Sequence, residues 1–189
     1  MNRRDFVRRF AFQASALALA GGWGNSLAAE TKMPPMDPAQ ARDWLARWEK
    51  SILADERSRY CDKEMGEELG WLVSPFLNGF HYGYRATGDT KWVALLIDWM
   101  DSCIKRAVKE PDGCLGWPKG DGGGGDTREY SADSLLGEAM MLRPVVLMAD
   151  RICKTPTLNA KWGDAARGYI DLAERVFAKW DSRACWREV

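Results

Sequence analysis

The chain has 189 residues, 46% of them hydrophobic, and its 27 basic residues balance 27 acidic ones. This length and this apolar content suit one domain with a hydrophobic core. Beyond the N-terminus there is no block of lysine and arginine that can neutralise a run of phosphates. The composition therefore argues against a nucleic-acid partner.

The first part of the chain, residues 1–29, is predicted to be an export signal. Arg3 and Arg4 open "NRRDFVRRF", the run "AFQASALALAGG" is mildly apolar, and "NSLAAE" offers small residues to a signal peptidase. This order resembles a twin-arginine signal, which implies a folded, periplasmic or secreted protein. The apolar run is shorter than the roughly 20 residues of a permanent anchor, so no stable membrane anchor is expected. Removing the segment leaves 23 basic and 26 acidic residues in a domain of residues 30–189.

The first predicted helices follow in chain order. Asp37 and Pro38 suit the start of a helix over 37–53. Its apolar residues recur every three or four positions, which predicts a core-facing stripe made of Ala41, Trp44, Leu45, Trp48 and Ile52. A second helix is predicted over about 67–86 and a third over about 90–108. The turn "ATGD" between these two predicts an antiparallel hairpin.

A glycine-rich segment, "KEPDGCLGWPKGDGGGGDTREYS", then interrupts the helical pattern. It holds seven glycines and two prolines, and a loop of this length is typically functional or disordered. A fourth helix is predicted over about 131–153, with Pro144 as a kink or a new start. The turn "KTPTLN" precedes a fifth helix over about 160–180. No stretch alternates long enough to predict a strand.

Five cysteines follow no spacing that binds a metal. No Cys-x-x-C pair occurs among them, so neither a zinc site, a redox motif nor a cofactor is predicted. The exported setting permits disulfides, whose pairing the sequence leaves open. The cysteines are Cys61, Cys103, Cys114, Cys153 and Cys185.

The second helix, within "FLNGFHYGYRATGD", separates two kinds of side chain. Its apolar positions fall on one side, namely Val73, Leu77, Phe80 and Tyr84. Its polar positions, spaced i, i+3, i+4 and i+7, fall on another, namely Asn78, His81, Tyr82 and Arg85. The polar stripe is either a reactive surface or a structural one. In the structural alternative His81 is held by hydrogen bonds, Tyr82 covers the core and Arg85 favours the helix C-terminus.

The segment "FLNGFHYGYRATGDTKWVALLIDWMDSC", followed by "DGCLGWP", resembles secreted (α/α) toroid enzymes that act on carbohydrates. This six-hairpin group includes alginate-lyase-like and heparinase-like polysaccharide lyases and several glycosidases, and the resemblance covers about residues 66–180. It implies an all-α fold of helical hairpins. The chain would supply about two to three hairpins of an incomplete toroid, and such a piece would expose apolar flanks and self-associate.

The resemblance also implies a reaction. Lyases of this group use an Asn/His/Tyr/Arg set, which carries over to Asn78, His81, Tyr82 and Arg85 as catalytic candidates for β-elimination on a uronic-acid glycan. In that reaction a carboxylate is neutralised while one group removes a proton and another donates one.

The glycine-rich loop offers residues for binding a poly- or oligosaccharide. Trp117 and Tyr130 can stack on sugar rings, and Arg128 lies two positions before Tyr130. Carboxylates at Asp126, Glu129, Asp133 and Glu138 give an alternative, a glycoside hydrolase with a pair of loop carboxylates. The acids can instead cap the next helix in a solvated loop. A third hypothesis is a helical module that binds glycan or protein without catalysis.

Overall fold

The computed structural model describes residues 37–63, 66, 68–118 and 134–183, all of which lie in one compact unit, Asp37–Val189. The described residues are mostly helical, which confirms the all-α class. The α-helices are α1 (Pro38–Trp48), α2 (Ser74–Thr87), α3 (Lys91–Arg106), α4 (Leu135–Lys154) and α5 (Pro156–Ser182). Shorter helical turns join α1 to α2: Glu49–Leu53 and Leu69–Val73 are π-helical, and Glu56–Ser58 and Tyr60–Asp62 are 3₁₀.

Helix α1 starts where the sequence predicts. The Asp37 side chain accepts a hydrogen bond from the Ala39 amide at 3.0 Å, and Pro38 takes the first helical position. The predicted core stripe is only half correct, because α1 has no buried residue and 58% of the Trp44 side chain is exposed. Trp48 is the residue of this stripe that stacks on the aromatic core, with its ring 6.0 Å from that of Trp92.

Helices α2 and α3 form the predicted antiparallel hairpin. Gly88 takes a left-handed conformation with φ of 70°, and Asp89 accepts a hydrogen bond from the Lys91 amide at 2.9 Å. Residues early in α2 meet residues late in α3: the rings of Phe76 and Trp99 stack at 4.7 Å. The apolar stripe of α2 is buried as predicted except Tyr84, which is half-buried.

A short β-ribbon follows α3, where no strand was predicted. β1 (Val108–Lys109) pairs antiparallel with β2 (Leu115–Gly116), and Gly113 supplies a positive φ of 82° in the turn. Each strand has two residues, so neither is long enough to show the alternating pattern that reveals a strand in a sequence.

Helix α4 runs without a break through Pro144, so the predicted new start does not occur. A proline lacks the amide that would bond the carbonyl four residues earlier, here that of Met140. The Ser74 hydroxyl of α2 donates to this carbonyl at 2.9 Å instead. The carbonyl freed by Pro144 thus finds a partner in the neighbouring helix, and that bond fixes α2 against α4.

Helix α5 begins at Pro156, earlier than the predicted Ala160. Pro156 takes the first-turn position, where its missing amide costs nothing, and Thr155 alone separates α5 from α4. The sequence "KTPTLN" therefore reads as a helix start rather than as a turn. Helices α2, α3, α4 and α5 pack around one core, whose largest buried side chains include Trp92, Phe80 and Leu96.

Candidate functional site

The polar stripe of α2 faces helix α4. Ser74 bonds the Met140 carbonyl, and one turn further Arg143 Nη1 lies 3.5 Å from Asn78 Oδ1. Contacts that advance in the same direction along both helices mean that α2 and α4 run parallel at this point. The same register places Arg85 of α2 and Arg151 of α4 at about the same height along the two helices.

His81 lies at the centre of this stripe and is more deeply buried than a surface-facing stripe predicts. Its side chain is 7% exposed, and its Nδ1 is buried without a hydrogen-bond partner among the described residues. Burial lowers the pKa of His81, and the positive charges of Arg85, Arg143 and Arg151 lower it further. The imidazole is therefore neutral at neutral pH and can accept a proton.

Tyr82 provides a phenol whose ring lies beside this imidazole. Its side chain is 49% exposed, and its ring centroid lies 5.3 Å from that of His81. A neutral imidazole and a phenol are the two kinds of group that proton abstraction and proton donation need. The two kinds of group that acid–base work requires are thus neighbours, with the imidazole buried and the phenol half exposed.

Three arginines from two helices act on His81 with their positive charge. Arg85 belongs to the last turn of α2, whereas Arg143 and Arg151 lie eight positions apart on α4, and all three are exposed. Within the described residues, no ion pair joins any of the three to a carboxylate. Three exposed guanidinium groups whose charge reaches one site favour an anionic ligand such as a carboxylate.

Sequence reasoning missed the two arginines of α4. They are separated by two turns, with the exposed Leu147 between them, so they share one side of the helix. That spacing was visible in the sequence. Which helix lies opposite depends on the packing of α2 against α4, and no local pattern encodes it.

Asn78 is engaged differently from the catalytic candidate that the resemblance implied. Its amide nitrogen donates to the Ser74 carbonyl at 2.9 Å and to the Ser74 hydroxyl at 3.1 Å. Its amide oxygen is directed at Arg143. The side chain is therefore held by the protein on both sides instead of offering its amide group to a ligand.

Trp117 lies in the core and not on an open loop. Its side chain is 4% exposed, and its indole donates to the Cys103 carbonyl of α3 at 2.7 Å. A buried indole face cannot be reached by a sugar ring. The burial of Trp117 therefore contradicts its predicted role in stacking on a sugar. The remaining substrate-binding candidates, Asp126, Arg128, Glu129 and Tyr130, and also Asp133, lie outside the described residues.

Glu138, a carboxylate considered for hydrolysis, is fully buried in α4. One of its oxygens lies 2.6 Å from Lys179 Nζ, and the other accepts a hydrogen bond from the Trp180 indole at 2.6 Å. Lys179, equally buried, also donates to the Leu115 carbonyl of β2 at 3.0 Å. This cluster joins α4, α5 and the β-ribbon. The Glu138 carboxylate therefore has a structural role and does not face a substrate.

Two kinds of feature are absent from the described residues. No group of three or more histidine, cysteine, aspartate or glutamate side chains is arranged to hold a metal ion in this part of the chain. Among the same residues, no helix is both long and apolar enough to cross a membrane. Comparisons of the chain with protein-family models, with curated proteins and with solved structures found no match.

Proposed function

We propose that this chain is an exported carbohydrate-active protein, most specifically a polysaccharide lyase that cleaves uronic-acid glycan by β-elimination. The observation that carries the proposal is the pairing of a neutral imidazole with a phenol, His81 beside Tyr82, near three exposed arginines that form no ion pair within the described residues. The sequence supports the exported setting through its twin-arginine pattern.

The proposed reaction uses each group once. The arginines bind the uronate carboxylate and so acidify the proton on the adjacent carbon. His81 removes this proton through Nε2, since Nδ1 is enclosed by the protein. Tyr82 protonates the leaving glycosidic oxygen as the carbon–oxygen bond breaks. The products are a sugar with a new carbon–carbon double bond and a free hydroxyl end, and no co-reactant is consumed.

The proposal extends to the fold. Two antiparallel hairpins, α2 with α3 and α4 with α5, stand side by side with α2 and α4 parallel. That arrangement agrees with an array of helical hairpins, as in an (α/α) toroid. An incomplete toroid would present uncovered flanks to another copy of the chain, and sedimentation of the mature protein tests for such self-association.

A second candidate is a module that binds an acidic glycan without cleaving it. The observation in its favour is the small exposed fraction of His81, which leaves little of the imidazole within reach of a substrate. The arginines and the exposed Tyr82 would then form the binding surface. The hydrolase alternative gains no comparable support, because Glu138 is bound by Lys179 and Trp180.

The experiment is an assay of the mature protein against a panel of uronic-acid polysaccharides, with a neutral polysaccharide for comparison. Elimination creates an unsaturated uronate that absorbs in the ultraviolet, whereas hydrolysis creates reducing ends without this absorbance. His81→Ala and Tyr82→Phe should each lower turnover by about 10²-fold or more, the usual scale for a positioned acid or base. Tyr84→Phe, on the other side of α2, is the matched control.

The outcomes separate the candidates. Absorbing product that depends on His81 and Tyr82 supports the lyase. Binding of the uronates without product supports the binding module. Reducing ends without the absorbing product support a hydrolase and count against the lyase.

A further inference from the structure

We infer that Arg143 is the residue that selects a carboxylate-bearing sugar, and that Asn78 positions it. The inference rests on the proposed function, because it assumes that an acidic glycan binds beside His81. Arg143, a residue of α4, would then bind the carboxylate of the sugar. Asn78 would act through Arg143 instead of contacting the substrate.

The first step is the orientation of the Asn78 side chain. Ser74 is buried, and its hydroxyl donates to the Met140 carbonyl, so the hydroxyl oxygen is left to accept. The Asn78 amide nitrogen fills that role and also bonds the Ser74 carbonyl. These bonds decide which end of the carboxamide is the nitrogen, and they direct the oxygen towards Arg143.

The second step is the origin of this arrangement in Pro144. Because proline has no amide hydrogen, the Met140 carbonyl lacks its usual partner within α4. Ser74 supplies the replacement bond. Arg143 directly precedes Pro144. The residue that meets the Asn78 oxygen is therefore the neighbour of the proline whose missing amide leaves the Met140 carbonyl to Ser74.

The third step is the freedom of the guanidinium. Arg143 is exposed, and its only hydrogen bond within the described residues is the one to Asn78, with no ion pair to a carboxylate. A guanidinium has five N–H donors in a planar fork, so most of them stay open to a ligand. Two of them can bind one carboxylate in parallel, which a neutral sugar or a methyl ester cannot match.

A first experiment needs no substrate. His81 is the only histidine in the chain, so its imidazole resonances in an NMR titration need no assignment by mutation. Arg143→Gln removes a nearby positive charge and should raise the pKa of His81. Asn78→Ala should raise it by a part of that amount, because Arg143 is then no longer held in place. In the double variant, Asn78→Ala with Arg143→Gln, the pKa of His81 should match its value in Arg143→Gln alone.

Matched controls exist on α5. Asn159 makes a similar contact, 3.3 Å from Arg167 Nη1, and Arg175 is an exposed arginine. Asn159→Ala and Arg175→Gln should leave the titration of His81 unchanged. Far-ultraviolet circular dichroism of each variant reports whether the helices are intact.

A second experiment measures specificity, using oligogalacturonate and its methyl ester as probes. Arg143→Gln should weaken binding of the acid by about 10-fold or more, the scale for losing hydrogen bonds to a charged group, and leave the ester unaffected. Asn78→Ala should weaken the acid less, and the two losses should not add.

The results distinguish failure of this inference from failure of the proposed function. The inference is overturned if the effects of Asn78→Ala and Arg143→Gln add in full, either on the pKa of His81 or on binding of the acid. Asn78 would then not act through Arg143. If Arg143→Gln weakens acid and ester equally, its role in selection is overturned. If the wild type binds neither probe while the titrations are non-additive, the positioning role stands, and the choice of an acidic glycan as ligand fails with the proposed function.

Discussion

The buried ion pair between Glu138 and Lys179 allows a quantitative prediction about stability. Both side chains are fully buried, and the joined atoms are 2.6 Å apart. At an effective dielectric constant of about 20, Coulomb attraction at this distance is roughly 6 kcal/mol. Removing each ion from water costs several kcal/mol, so the pair contributes little net stability. Removing one partner is different, because the remaining buried charge then loses the ion that lies 2.6 Å from it.

Lys179→Met is therefore expected to lower the free energy of unfolding by about 3–5 kcal/mol. Methionine has a similar length and fills the space of the lysine stem, so the loss reports the charge and not a cavity. The double variant with Glu138→Gln should lose less than Lys179→Met alone, because the remaining carboxylate is then gone. Urea unfolding followed by circular dichroism gives the free energies of the wild type, of Lys179→Met and Glu138→Gln alone, and of the double variant.

The matched control is the exposed pair of Lys154 and Asp150, whose atoms are 2.8 Å apart on the surface of α4. Lys154→Met should cost less than about 0.5 kcal/mol, as is typical of such pairs. If Lys179→Met also costs less than about 1 kcal/mol, the buried charge is compensated in another way. The same conclusion would follow if the double variant lost the full sum of the two single losses.

Three further predictions concern packing, proton transfer and export. Gly83→Ala should destabilise the hairpin of α2 and α3 by about 1–3 kcal/mol in urea unfolding, because the new methyl group would lie 2.8 Å from the Trp92 ring; wild-type stability would contradict this close packing. Because the pKa of His81 is lowered, turnover should stay high down to a pH below the ordinary histidine value of about 6.5, and an acidic limb above that value would count against His81 as the base. Replacing Arg3 and Arg4 by lysine should abolish export through the folded-protein route, and an undiminished periplasmic fraction would refute the signal prediction.

Local features of the fold were predictable because they depend on a few neighbouring residues. The start of α1 at Asp37, the left-handed Gly88 and the apolar side of α2 each follow from a short pattern. The β-ribbon was missed because its strands are too short to carry a pattern. A new helix start at Pro144 was wrongly predicted as one of two outcomes, because the carbonyl that the proline leaves free is bonded by Ser74, far away in the sequence.

The candidate site was predictable in part. The resemblance and the helical spacing brought together Asn78, His81, Tyr82 and Arg85. The burial of His81 and the approach of Arg143 result from the contact between α2 and α4. A tryptophan in a glycine-rich segment suggests an exposed binding residue, but Trp117 folds back onto α3 and satisfies its indole there. Such long-range contacts have no counterpart in local sequence.

The claim that an acidic glycan binds on the polar side of α2 is tested most directly by the NMR signal of the single histidine. Oligogalacturonate is added stepwise to the wild-type protein, with a neutral oligosaccharide of equal length in parallel. A carboxylate bound by the arginines would offset their positive charge, so the pKa of His81 should rise and its resonances should move at saturation. If the uronate leaves both the resonances and the pKa unchanged, as the neutral sugar should, the polar side of α2 is not the binding site.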